Sequence, residues 1–537
     1  MEIDMRKILL IFITFFLVFN GCSNNNELTY LEKQIKKQKN NVATECKIEP
    51  NFELFEDSLK NLKNKRFNEI DILLKNSSIR EIQKYYTERK LSITETVLYF
   101  LKKFKRNRKL NTLISLNPEL LKTARLQEQN LDKIKRKPLF GIPVLVKDNI
   151  AVENMKNTAG AMALSKLTPE NDAHLIQNMK KAGAIIMGKA NLSEWANFMT
   201  SSSSNGYSAL GGQTQNPYGE FDVGGSSSGS AVAVSANLIP LAVGTETCGS
   251  LIYPASQNSV VTLKPTTGLI SRDGIIPISY TQDTAGPMAK RAKDAAILFE
   301  QMVGYDSNDP KTKIAGNYEK KDPNNYLDKN FLKNKRIGLV TNEKIVNWYR
   351  KTDKKIIKRA VKDLENMGAE VVEIKLDESI FDIDMRSVYY YEFKKGVGDY
   401  LKEEGYSEFR TLAEIVEYNK KDKENRAYYG QDLLIKSVEN KITEKENRRN
   451  VLKNIENSKK PLDSIMEENN LDFILTLSNY LSGVYAPAGY PAINVPAGYR
   501  PNGEPIGITF IAKSKEDRKL LNAGYSYEQH TRYREAP

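Results

Sequence analysis

The chain of 537 residues holds two histidines, three cysteines and two tryptophans. With only His174 and His530, little is left for Ser-His-Asp catalysis, in which an imidazole accepts the serine proton. A histidine-ligated metal centre is equally poorly served. The cysteines, Cys22, Cys46 and Cys248, supply neither a disulfide framework nor a cysteine-rich metal cluster, and no cofactor or metal is expected. Long apolar runs are missing as well. The run Ile8–Phe19 spans 12 residues, short of the about 20 that cross a bilayer. A net charge of +13 raises nucleic acid or an anionic surface as partners. The short basic runs at 102–109 and 133–137 lack the interleaved aromatic pattern that stacks on bases. They read as solvated helix faces, and no nucleic-acid partner is expected.

What is present begins with an address. Arg6 and Lys7 precede the 12-residue apolar run, as in a signal-peptide core. The run leads into Phe19-Asn20-Gly21-Cys22, which resembles the lipobox of bacterial lipoproteins, where cleavage exposes a cysteine for lipidation. Phe19 departs from the usual aliphatic residue, and the rivals are an ordinary secretory signal or an uncleaved anchor. The resemblance implies a signal peptide over residues 1–21, lipidation at Cys22 and an extracytoplasmic, membrane-anchored protein of the cell envelope. The Lys/Asn-rich stretch over 22–60 reads as a polar tether, and 61–537 as one large domain.

Within that domain, Ser78-Ile79-Arg80-Glu81 and Ser92-Ile93-Thr94-Glu95 match the capping box, in which serine and glutamate satisfy free N–H groups at a helix start. From Leu139 the pattern alternates. A short apolar strand over Val144–Val146 is followed by a helix over Asp172–Lys181, a terminating Gly183 and a strand over Ala184–Met187. The same rhythm returns with strand Ile337–Val340, helix Thr352–Met367 and strand Val371–Ile374. This predicts an α/β fold with a largely buried sheet. Further strands are expected over Ala492–Val495 and Gly507–Ile511, and the charged segment Lys420–Lys460 reads as exposed helix.

Two serine-rich glycine loops carry the chemistry. The first, Gly224-Gly225-Ser226-Ser227-Ser228-Gly229-Ser230, opens a helix of small residues. In the second, Gly244-Thr245-Glu246-Thr247-Cys248-Gly249-Ser250, successive N–H groups can converge on one point, as an oxyanion hole requires. Gly225–Gly229 formally matches G-x-S-x-G with Ser227 at the elbow, but that motif needs a preceding strand and a histidine. Pro217–Val223 is a poor strand, and the only downstream histidine is His530. A lysine is the remaining base: Lys147 ends the apolar run Val144-Leu145-Val146, and burial lowers a lysine pKa.

The region from about Ser92 to Gln529 resembles the amidase signature family of serine hydrolases. The matching segments are Gly141–Asn149, Gly188–Trp195, Gly211–Pro217, both serine loops, Leu263–Thr266 and Gln282–Pro287, and the two candidate serines stand 24 residues apart. The resemblance implies a single α/β domain whose central mixed sheet is covered by helices on both faces. It implies Ser250 as nucleophile, Ser226 as a bridging serine after a cis peptide, Lys147 as general base, and an oxyanion hole from the N–H groups of Thr247, Cys248, Gly249 and Ser250. Tyr390–Lys394 and Ala488–Ala492 are similar to a peptide-amidase branch, which implies small amides or peptide amides as substrates. Cys248 stands where aspartate or glycine is expected, and Leu251-Ile252 replaces a frequent Ile-Arg pair. The alternatives are an amidotransferase subunit supplying ammonia and a binding lipoprotein with an inactive site.

Overall fold

The computed structural model describes residues 46–537; the expectations for residues 1–21 and for Cys22 fall outside them. Eleven strands form one mixed sheet. In chain order they are β1 (Leu113–Leu116), β2 (Pro143–Lys147), β3 (Ile185–Ala190), β4 (Leu241–Glu246), β5 (Val261–Lys264), β6 (Thr284–Ala289), β7 (Arg336–Val340), β8 (Glu370–Ile374), β9 (Phe473–Leu477), β10 (Ala492–Tyr499) and β11 (Pro505–Ile511). Their order across the sheet is β1-β3-β2-β4-β6-β5-β10-β11-β9-β7-β8. β2 runs parallel to both neighbours, β3 and β4, while β4 pairs antiparallel with β6. Every residue of β2, β3, β4 and β6 is buried, which explains why these strands read as near-continuous apolar or small-residue runs without alternation. Helices flank the sheet, and the main apolar core lies against it.

The two capping boxes form as expected. Ser78 caps Ile79–Thr87 and Ser92 caps Ile93–Arg106, each with its glutamate returning to the cap N–H. The helix Lys351–Asn366 and the strands around it also fall where the periodicity places them.

Two expectations need correction. The tether does not extend to residue 60: helical turns begin at Glu53, and Phe52, Phe55 and Leu59 are buried in the main core. Apolar side chains spaced three and four apart gave this segment a face to bury despite its polar composition. The segment 420–460 is not a plain exposed helix either. It contains the helices Lys423–Arg426, Asp432–Glu439 and most of Glu444–Glu468. Leu433 and Leu434 join Trp195, Phe198, Tyr389 and Phe393 in a second apolar cluster, which roofs the serine loops. No helix among the described residues is long and apolar enough to cross a membrane.

Candidate active site

The site forms where β2 and β4 end side by side. Val146 of β2 lies opposite Val243 of β4 and Lys189 of β3, so Lys147 leaves the strand next to the Gly244–Ser250 loop. The side chain of Lys147 is fully buried. Its Nζ lies 2.8 Å from Ser226 Oγ, 3.0 Å from Ser227 Oγ, 2.9 Å from Thr245 Oγ1 and 3.2 Å from the Thr245 carbonyl oxygen. Burial pulls the amine down to about 7, against the weaker upward pull of the Asp283 and Glu246 carboxylates.

The hydrogen-bond directions limit what this amine can do. Ser227 donates its hydroxyl proton to the Thr245 carbonyl (3.0 Å) and accepts the Thr245 N–H. Thr245 Oγ1 accepts from Asn149 Nδ2 at 3.1 Å. Both oxygens are therefore placed to accept the two N–H bonds of a neutral amine. The lone pair is then left for the Ser226 hydroxyl, which can donate to it.

Ser226 follows a cis peptide from Gly225 and precedes the buried helix Ser228–Ser235. Its carbonyl accepts from the Ser193 N–H at 3.1 Å, and the Ser227 N–H donates to the Ser250 carbonyl at 3.2 Å, tying the two loops together. The second loop is held from outside. Glu246, buried at the end of β4, accepts the N–H groups of Leu251 (2.8 Å) and Ile252 (3.1 Å) with one oxygen and the Tyr485 hydroxyl (3.0 Å) with the other. Thr247 donates to Asp283, whose second oxygen takes the N–H groups of Ile278 and Ser279. Gly249 has φ +81°, and a side chain there would meet Asn479 Nδ2 at 3.0 Å, so this turn needs glycine. The N–H groups of Cys248, Gly249 and Ser250 find no acceptor among the described residues, leaving them available to an oxyanion.

Thr247, Cys248 and Ser250 line a narrow recess with Ala196, Asn197, Phe198, Ser201, Ile278, Tyr389 and Leu433. Its walls are almost wholly apolar and carry no charged side chain. Cys248 is buried, and burial pushes its thiol up to about 12, so it is a neutral wall and not a thiolate. The elbow arrangement with histidine does not form. His530 Nδ1 lies 2.9 Å from the Ser526 carbonyl in the C-terminal helix, and His174 sits beside Asn178. Among the described residues, no group of His, Cys, Asp and Glu could hold a metal ion.

The structure thus brings together Lys147, Ser226 and the Thr247–Ser250 loop. Thr245, Glu246, Asn149, Asp283, Tyr389 and Leu433 were not singled out from the sequence. Glu246 carried a usable signal, an acid ending a strand of otherwise small and apolar residues.

The fold and site describe an α/β enzyme built around a buried lysine and two serine loops. The Amidase family model matches residues 95–478. A protein named "Probable amidase" from Arabidopsis thaliana is 36% identical over 479 residues, covering 86% of this chain and 92% of its own length. The structure of peptide amidase from Stenotrophomonas maltophilia superposes with a TM-score of 0.81 at 36% identity, covering 86% of this chain and 98% of that one. A glutamyl-tRNA(Gln) amidotransferase subunit from Pelagibacter ubique is 30% identical over 488 residues, covering 85% and 97% respectively. The chain belongs to the amidase signature family and is an amide-hydrolysing enzyme.

Proposed function

We propose that the protein hydrolyses linear carboxylic amides, with small amides and peptide amides as substrates, through an acyl-serine intermediate on Ser250. The observation that carries this reading is the 2.8 Å contact between a neutral-leaning Lys147 amine and Ser226, in a loop bonded directly to Ser250. Ser250 Oγ attacks the amide carbon as its proton passes to Ser226 Oγ, and the Ser226 proton passes to Lys147 Nζ. The carbonyl oxygen, now an anion, takes hydrogen bonds from N–H groups of Thr247 to Ser250. Collapse breaks the C–N bond, and the same relay returns a proton to the departing amine. Water then cleaves the ester, with the relay accepting its proton.

The structural likeness to a peptide amidase and the uncharged recess support neutral amides as the reacting end. The signal-like N-terminus supports a protein anchored at Cys22 outside the cytoplasm. The test is a panel of amides, peptide amides and esters with the tether-free domain, its Ser250→Ala variant and an active-site-directed fluorophosphonate. Turnover and labelling that both persist in Ser250→Ala would remove the assignment. The amidotransferase relative supports a second reading, a subunit that releases ammonia from glutamine. Glutaminase activity appearing only with a partner subunit would favour it.

A further inference from the structure

A second cleft opens at the far end of the sheet. β4 and β6 pair antiparallel, with Glu246 opposite Thr284 and Leu241 opposite Ala289. The serine loops stand at the Glu246 end. Lys290 follows Ala289 and so lies at the Leu241 end, six residues of strand away, or about 20 Å. There the end of β6, the starts of the helices Ile79–Thr87 and Ala292–Met302 and the turn after the last helix, Asp517–Thr531, surround a cleft of about 550 Å³. That is the size of a small-molecule site.

Cations dominate its lining. Lys290, Arg291, Lys293, Arg532 and Arg534 stand against the carboxyl groups of Glu81 and Glu528. Among the described residues, only Arg291 of the five has a carboxylate in contact, Glu81 at 3.5 Å. Lys290 is buried, yet its Nζ donates to the Lys75 carbonyl at 3.0 Å and to Asn237 Oδ1, both uncharged. Arg534 donates to the Ser235 carbonyl at 2.9 Å, while its Nε is buried with no partner among the described residues.

Buried charges are normally paired with opposite ones. Here burial pushes Lys290 down to about 7, and Arg534 and Arg291 push it the same way. Burial lowers Arg534 as well. The carboxyl groups nearby are committed elsewhere: Glu528 accepts the Ala292 N–H at 3.0 Å and Asp294 the Ile79 N–H at 3.2 Å, so each holds a helix start. An anion in the cleft favours the charged form of every cation around it.

We infer that this cleft binds a phosphate-bearing anion through Lys290, Lys293, Arg532 and Arg534. Lys290 is the most buried of these cations and Arg532 the most exposed, so together they follow a ligand from the interior to the mouth. Guanidinium groups pair bidentately with phosphate oxygens. A phosphate ester also brings about 1.5 to 2 negative charges to this lining, where a carboxylate brings one. A free phosphate ester and the phosphate headgroup of a lipid share that chemistry. The cleft is separate from Ser250 and takes no part in amide cleavage.

Calorimetric titration of the full chain at pH 7 tests it, with glycerol 3-phosphate as the free ester and soluble dihexanoylphosphatidate as the headgroup. At least one is expected to bind ten times tighter than acetate, and the tighter of the two identifies the source. Lys290→Met and Arg534→Gln should each weaken binding at least tenfold. Lys293→Glu, at a half-buried position, should weaken it at least fivefold with its urea midpoint unchanged, which decides the matter if the buried variants fail to fold. Ser250→Ala should bind as the wild type does. Binding by neither probe, binding no tighter than that of acetate, equal binding by the wild type and Lys293→Glu, or loss of binding in Ser250→Ala would overturn the site.

Discussion

Titration of Lys147 should set the pH dependence of the reaction. An ordinary lysine amine, with a pKa near 10.4, is neutral in about one molecule in a thousand at pH 7.5. With the value lowered to about 7, most molecules hold the neutral amine at that pH. The shift corresponds to about 5 kcal/mol of preference for the neutral form, and full burial is its main cause. The amine accepts a proton only when neutral, so activity is lost as pH falls through 7. kcat/KM for a neutral peptide amide should drop about tenfold per pH unit below 7, to about one hundredth of its plateau at pH 5, and level off above 8. Initial rates between pH 5 and 9.5 at constant ionic strength measure this. Lys147→Arg should be inactive throughout, because a guanidinium stays charged. Lys290, Asp294 and Glu528 have values of about 7, 6 and 7, but they belong to a different part of the fold, and Lys290→Met should keep the acid limb. An inflection above pH 9, or a limb that survives in Lys147→Met, would refute the role given to this lysine.

Four other outcomes follow from the same geometry. Ser250→Ala should abolish amide hydrolysis while Cys248→Ala retains much of it; the reverse, measured on one substrate, would move the nucleophile to the thiol. Iodoacetamide at pH 8 should leave Cys248 unmodified in the folded enzyme and label it after unfolding, read by mass spectrometry, since the thiol is buried and raised to about 12. Glu246→Gln removes an acceptor for either the Leu251 and Ile252 N–H groups or the Tyr485 hydroxyl, at about 1–3 kcal/mol; kcat should fall by about tenfold or more, and the acid limb should move below pH 7, because the Glu246 carboxylate no longer pulls the Lys147 amine upward. Arg500 is buried with Asp353 at 2.7 Å and Glu504 at 3.0 Å, so Arg500→Ala should cost about 3–5 kcal/mol in urea unfolding.

The parts of the site that lay in contiguous motifs were legible in the sequence. Lys147 was visible because a cation at the end of an apolar strand is unusual, and the two loops because serine and glycine cluster there. The partners that fix those loops were not legible, because they arrive from far along the chain. Tyr485 reaches Glu246 from 239 residues away, and Gln282 meets Tyr389 across 107. The roof over the recess was missed for a different reason. Leu433 sits in a segment so rich in charge that its one apolar face was outweighed by composition. The early helix at Glu56–Asn61 was lost in the same way, since Phe52, Phe55 and Leu59 sit among lysines and asparagines.

The buried lysines show why one of them is suited to act as the base. Lys147, Lys189 and Lys264 are all among the largest fully buried side chains, so burial alone does not single one out. Lys189 lies 3.2 Å from the buried carboxylate of Asp148. Burial lowers the lysine and raises the aspartate, and each offsets the other, leaving a neutral pair that joins β3 to the turn after β2. Lys264 donates to the carbonyls of Pro265 (2.7 Å) and Tyr490 (2.8 Å). Carbonyls accept and never donate, so this amine has no hydroxyl to take a proton from; burial lowers it to about 8, against the upward pull of the Glu246 and Asp517 carboxylates. Lys147 has no carboxylate in contact, and three of its four partners are hydroxyl oxygens, which can turn from acceptor to donor as a proton moves. A buried lysine facing a carboxylate or carbonyls holds structure together. One facing hydroxyls can exchange a proton with them, and in the proposed mechanism that arrangement takes the place of an imidazole in a chain with two histidines.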